Sequence, residues 1–192
     1  VVFFLLTVQR SRLGDATLAP NAPLLNGLLL TAHALDGLAN AVEALCGHAI
    51  GARDSQTLRR TLVVATGWSI VFSLCFSLLF WFGGRPFINL QSDIAEVRSA
   101  AYTYLPYLAL LPIFAVASYL LDGLFVGATR AREMRDAMLL AVGLSVPLAW
   151  LLKGYGNHGL WIALLSFMLL RSLILGGYAW RLSAARSWMK VA

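Results

Sequence analysis

The sequence is short of charge. Asp, Glu, Lys and Arg make up 12% of its 192 residues, about half the share of a soluble domain. A chain this small needs polar residues to cover a water-facing surface. A cytosolic enzyme, a nucleic-acid module and a disordered tail are therefore excluded. Cysteine is scarce too: Cys46 and Cys75 both lie in apolar runs without metal-ligand spacing, so neither a disulfide framework nor a thiolate metal site is expected. No nucleophile–base pair is visible, and no nucleotide-binding loop. The glycine-rich KGYGNHG at 153–159 has no strand before it and reads as a turn between helices. No low-complexity tract and no convincing internal repeat stand out. The chain opens at Val1 inside the apolar run VVFFLL, with no basic segment or cleavage site ahead of it. It reads as a piece of a longer chain, cut inside a helix.

What the sequence has is long apolar stretches. Apolar residues make up 59% of the chain, and mean hydropathy is +0.74. A bilayer core of about 30 Å takes roughly 20 apolar helical residues. After the opening fragment, such stretches fall near 16–50, 58–82, 97–128, 137–152 and 160–182. Helices are expected for all of them, because lipid offers no partner to an open backbone. The reading is an all-α polytopic membrane protein. The stretch 16–50 would be about 50 Å long as a straight helix, so it must tilt, kink or project. Pro106 and Pro112 lie inside the third stretch and Pro147 inside the fourth, which predicts bends there.

The net charge of +6 is distributed as topology, not as a nucleic-acid footprint. Arg53, Arg59, Arg60, Arg130, Arg132, Arg135, Arg181, Arg186 and Lys190 fall on one predicted side, nine in all. Arg10, Arg12, Arg85, Arg98 and Lys153, five in all, fall on the other. The positive-inside rule puts the nine, and the C-terminus, in the cytoplasm. Trp81, Trp150, Trp161 and Trp180 lie at predicted helix ends, as an aromatic belt requires. His48 and His158 are expected at the surface or interface.

Charges within spans are costly unless paired or hydrated. They are Asp36, Glu43, Asp122 and Arg171. Asp36 and Glu43 are seven residues apart, with Asn40 between them and His33 a turn before, all on one helix face. A stripe His33–Asp36–Asn40–Glu43 must meet protein or water, not lipid. It reads as an ion, proton or substrate site lining a cavity, or else as interhelical hydrogen bonding. The Gly47–Gly51 spacing permits close helix contact. Asp122 is flanked by Gly123 and Gly127, which allow close approach or local unwinding. By the helical rise Asp122 lies about 10 Å from the middle of its span, and Glu43 is expected at a similar depth. Arg171 reads as a structural partner for one of these acids, or as a snorkelling side chain. No metal site is expected.

Four strings then stand in a telling order: RLGDATLAPNAPLL at 12–25, LDGLANAVEALCGHAIGARD at 35–54, LLDGLFVGATRAREMRDAML at 120–139 and GNHGLWIALLSFMLLRSL at 156–173. Together they resemble the multidrug and toxic compound extrusion (MATE) transporters, and within these the DinF-like branch. The resemblance covers nearly the whole chain. It implies a twelve-helix protein of two six-helix lobes around a central cleft. Residues 1–192 would be the C-terminal lobe: the end of helix 7 and helices 8–12, without the N-terminal lobe. It also implies export of organic cations and amphipathic compounds against inward H+ or Na+, with no organic cofactor. Asp122 aligns with an acid that the sodium-coupled branch uses on helix 10. That branch's helix 7 glutamate falls before Val1, and the aspartate associated with the DinF-like branch lies in the missing lobe. Asp36 stands in the DGLANA string typical of the branch and carries over as a cavity residue. His48 departs from the branch's usual glutamine.

The expected partners are the lipid bilayer, small cationic or amphipathic substrates and the missing lobe of the same chain, with no nucleic acid. The expected location is a bacterial cytoplasmic membrane. A flippase for a lipid-linked substrate is the alternative, disfavoured by three intramembrane acids against one base. A non-transporting scaffold is the other. An enzyme is not expected.

Overall fold

The computed structural model describes residues 21–184 and Trp188. The opening fragment, Arg10, Arg12, Arg186 and Lys190 lie outside the described residues. The chain forms α1 (Asn21–Gly51), α2 (Ser55–Gln91), α3 (Ala95–Gly127), α4 (Ala131–Leu151) and α5 (Gly156–Ala184). A short 3-10 turn, Leu152–Tyr155, precedes α5. No strand occurs among the described residues. Four helices, α2 to α5, are long and apolar enough to cross a membrane. The 31-residue α1 is long enough but is not among them; it carries the polar stripe. The outer surface suits lipid: Phe82 is 77% and Leu90 88% exposed, which no water-facing surface rewards.

Several expected boundaries shift. The second stretch does not stop at 82 but continues as helix through Pro86 to Gln91. Packing holds this extension despite the donor that proline lacks. Ile88 is fully buried, Asn26 Nδ2 donates to Gln91 Oε1 at 2.6 Å, and the Arg85 guanidinium lies 5.5 Å from the Tyr102 ring centre. Helix α3 is unbroken through Pro106 and Pro112, and α4 through Pro147. The turn expected at 153–159 is confined to its first residues. Gly156, at φ +57, starts α5, and Asn157–His158–Gly159 form its first turn. Trp150 and Trp180 are exposed near helix ends as expected; Trp81 is exposed but ten residues short of the end of α2. Trp161 is buried, at 2% exposure, so it belongs to the core and not to a belt.

The turns between α1 and α2 and between α3 and α4 are built alike. In the first, Arg53 has φ 54, and the amides of Ala52, Arg53 and Asp54 donate to the carbonyls of His48, Ile50 and Ala49. In the second, Thr129 has φ 55, and the amides of Ala128, Thr129 and Arg130 donate to Leu124, Val126 and Phe125. Both closures are of the Schellman type, in which a left-handed residue turns the chain and satisfies the last carbonyls. The sequences match: Gly47-x-x-x-Gly51-Ala52 and Gly123-x-x-x-Gly127-Ala128. This local repeat was overlooked in the sequence, because it lies in only a few residues. Asp54 then caps α2, accepting from the amides of Gln56 and Thr57 at 3.0 Å and from the Thr57 hydroxyl at 2.6 Å. Those hydrogen bonds, the Thr57 hydroxyl foremost, hold its carboxyl below the usual carboxylate range.

Helices α1 and α3 pack closely and run parallel. Gly27 lies against Leu108, Gly123 against Ala39, and Gly127 against Glu43 and Gly47. Gly47 thus makes the close contact expected of it, whereas a Cβ at Gly51 would meet open space, so no close approach is made there. Two clusters of buried residues fill the bundle. Leu24, Phe80, Leu108 and Phe167 belong to one, and Val42, Cys46, Phe125 and Leu175 to the other.

The start of α1 is tied to the start of α5. The amide side chains of Asn21 and Asn157 exchange hydrogen bonds at 2.8 and 3.0 Å, and the Trp161 indole also donates to Asn21 at 3.3 Å. Both asparagines are buried. Breaking a buried polar pair on one side costs about 1–3 kcal/mol. Asn157→Leu is therefore expected to lower the thermal unfolding temperature in detergent by several degrees; an unchanged temperature would show that the amide pair contributes nothing.

Candidate functional site

The polar stripe of α1 lies opposite its packed face. Leu28, Thr31, Leu35, Val42, Cys46 and Ala49 are buried, while His33, Asp36 and Asn40 are exposed and Glu43 is half-buried. The His33 ring donates from Nδ1 to the Leu29 carbonyl of its own helix at 2.6 Å. No packing need within the described helices places these polar groups where they are. His48 is exposed at the end of α1, as expected.

Asp122 and Arg171 meet. Arg171 Nη2 donates to Asp122 Oδ2 at 2.6 Å, joining α3 to α5, with the two side chains only 16% and 17% exposed. Of the two readings left open for Arg171, the pairing is the one adopted. Separating such a buried pair by removing one partner costs about 3–5 kcal/mol. Asp122 Oδ1 is buried and accepts no hydrogen bond among the described residues.

The depth expected for Glu43 needs correction. Gly123 faces Ala39 and Gly127 faces Glu43 and Gly47. Since α1 and α3 are parallel, Asp122 is level with the Asp36–Asn40 segment. Glu43 lies about one turn, or roughly 6 Å, further along. The two helix axes are shifted relative to one another, so equal distances from each span's middle do not mean equal depth. Asp36 is the acid that shares the level of Asp122, and its charge acts on both Asp122 and Tyr119.

The fold therefore brings together Asp36 from α1, Tyr119 and Asp122 from α3, and Arg171 from α5. It leaves His33 and Asn40 further along the exposed stripe and Glu43 at the helix crossing. A cavity of about 170 Å³ lies between α1, α3 and α5, lined in part by Thr31, Leu35, Ala115, Tyr119 and Met168. Tyr119 belongs to both the cavity and the charged cluster; it was missed in the sequence because a tyrosine in an apolar span carries no distinguishing pattern. Among the described residues no group of three His, Cys, Asp or Glu side chains converges as a metal site would. The arrangement offers a carboxylate that is half-engaged by a guanidinium and keeps one oxygen without a hydrogen bond among the described residues.

His158 also departs from its expected position. It is not in a loop but in the first turn of α5, where its ring lies 4.8 Å from that of Tyr104 and its Nδ1 is 3.0 Å from the Tyr107 hydroxyl. Tyr107 also stacks on Trp161 at 6.4 Å. The Tyr104–Tyr107 spacing of three, and that of His158 and Trp161, is the signal that could have revealed this helix-to-helix clasp.

The MatE family pattern matches residues 1–151. DNA damage-inducible protein F of Escherichia coli (strain K12) is 41% identical over 179 residues, covering 93% of this chain and 39% of that protein. Protein DETOXIFICATION 21 of Arabidopsis thaliana is 28% identical over 139 residues, covering 70% of this chain and 26% of its own length. Protein DETOXIFICATION 20 of the same plant is 28% identical over 148 residues, covering 75% and 28%. The chain thus spans well under half the length of each of these relatives.

Proposed function

Because this chain belongs to the MatE family, we propose that residues 1–192 form the C-terminal lobe of a two-lobe secondary antiporter. It exports organic cations and other amphipathic compounds in exchange for H+ or Na+ and catalyses no bond chemistry. One observation carries this reading. An apolar, lipid-facing bundle exposes His33, Asp36 and Asn40 in a row, level with a buried Asp122–Arg171 pair. Polar groups at membrane depth must face protein or water, so the stripe faces the cleft and the other lobe.

Asp36 and Asp122 hold, in turn, the transported organic cation and the H+ or Na+ exchanged for it. Glu43, Asn40 and His33 line the approach. The parallel α1–α3 contact through Gly123 and Gly127 lets the helices shift against one another as the lobes rock between outward-open and inward-open states. The location is a bacterial cytoplasmic membrane. Arg53, Arg59, Arg60, Arg130, Arg132, Arg135 and Arg181 gather at one end of the bundle, which the positive-inside rule makes cytoplasmic along with the C-terminus. The relatives' names, one of them DETOXIFICATION, agree with export.

The test is ethidium efflux from cells lacking their own pumps, with the full-length protein that contains these residues, under a pH jump and a sodium jump. Efflux that responds to one ion supports the antiporter and names the ion. A well-expressed protein inert to every cationic dye and gradient would instead favour a lipid-linked-substrate flippase or a scaffold.

A further inference from the structure

The charges of the α1–α3–α5 cluster do not balance. Asp36 and Asp122 supply two carboxylates, and Arg171 supplies one guanidinium. With all three ionised, the cluster is one positive charge short. Glu43, a turn away at the helix crossing, is a further acid and supplies no positive charge, and the His33 ring is bonded to its own helix, so among the described residues nothing closes the deficit.

The ion pair itself is incomplete. Arg171 meets Asp122 end-on, through Nη2 and Oδ2. The guanidinium fork that satisfies both oxygens of a structural carboxylate is not formed. Asp122 Oδ1 is left buried without a donor among the described residues, and a buried acceptor without a partner is an exception in folded proteins. A permanent structural pair has no use for a spare buried oxygen beside a second carboxylate. A site that takes up one further positive charge does.

We propose that Arg171 sets the charge of the cargo. By neutralising one of two carboxylates it leaves a site that accepts a single positive charge, and so favours monovalent over divalent organic cations. This rests on the reading above that Asp36 and Asp122 bind the transported cation. Without Arg171 the same cleft carries two negative charges, and a dication becomes the better match.

The experiment reconstitutes the full-length protein in liposomes. It compares uptake of tetraphenylphosphonium, a monocation, with that of methyl viologen, a dication, at equal driving force. The natural protein prefers the monocation. Arg171→Gln shifts the ratio of the two rates towards the dication by roughly 30-fold, the order expected for one added charge contact in a partly hydrated site. Arg171→Lys, which keeps the charge, keeps the natural ratio. Equal ratios in the Gln and Lys variants overturn the proposal.

Arg171→Gln leaves Asp122 buried without its partner, and the variant can fail to fold. A second comparison covers that case. Asp122→Asn alone leaves no net charge and loses transport of both dyes. Adding Arg171→Gln to Asp122→Asn leaves one negative charge, on Asp36, and regains transport of the monocation. No regain overturns the proposal. If Asp36→Asn and Asp122→Asn each transport both dyes normally, the cation-site reading itself fails. If both variants lose transport while the ratio never moves, only the role of Arg171 fails.

Discussion

Asp36→Asn in the full-length protein is expected to abolish coupled dye efflux while leaving the amount of protein in the membrane unchanged. The side chain is exposed on α1 and forms no bond within the described helices that folding depends on, so the amide is tolerated sterically. Its charge, however, acts on Asp122 and Tyr119. A charge contact at about 4–8 Å in a partly hydrated protein site is worth roughly 2–4 kcal/mol. Losing it weakens cation binding on the order of 30-fold or more. The neutral variant also leaves Asp122 and Arg171 as a balanced pair with no call for an external cation. Efflux rate and surface abundance are measured together. Normal efflux at normal abundance would remove Asp36 from the site.

Gly123→Val is expected to cause a large loss of stability by forcing α1 and α3 apart. A Cβ at Gly123 would sink into the Ala39 carbonyl, and its neighbours are backbone atoms of α1 that cannot rotate away. Overpacking of this kind costs about 1–3 kcal/mol even where side chains can adjust, and here they cannot. Gly127, against the Glu43 carbonyl, is the next most sensitive along this α1–α3 contact. Gly143→Ala and Gly177→Ala are the controls, since nothing lies within 4 Å of either position. Alanine favours helix over glycine by about 1 kcal/mol, so both are expected to hold or raise the unfolding temperature. Detergent-solubilised protein followed by thermal unfolding separates the two classes. A stable Gly123→Val beside unchanged controls would mean that α1 and α3 do not pack as described.

Much of the fold was legible because its causes are local. Apolar runs of membrane length must be helical, since lipid satisfies no backbone group, and each run predicted within the described residues is a helix. The ends were less legible. The extension of α2 to Gln91 depends on Asn26, a residue 65 positions away, and the first turn of α5 depends on Asn21, 136 positions before Asn157. No window of sequence contains both members of either pair. Trp161 and His158 were misread for the same reason: a residue near a span end looks interfacial until a neighbouring helix, here through Tyr104 and Tyr107, covers it.

The candidate site divides the same way. The sequence by itself determined that His33, Asp36, Asn40 and Glu43 share a face, that Asp122 sits among glycines, and that every one of these groups needs protein or water beside it. Those are consequences of helical periodicity and of the cost of charge in hydrocarbon, both fixed by residue order. Only the tertiary structure decided that Arg171 belongs to Asp122, that Asp36 and not Glu43 shares its level, and that Tyr119 joins them. Those facts depend on how far α1 slides along α3 before Gly123 meets Ala39. That shift is set by the fit of two helix surfaces, which no single stretch of the chain encodes.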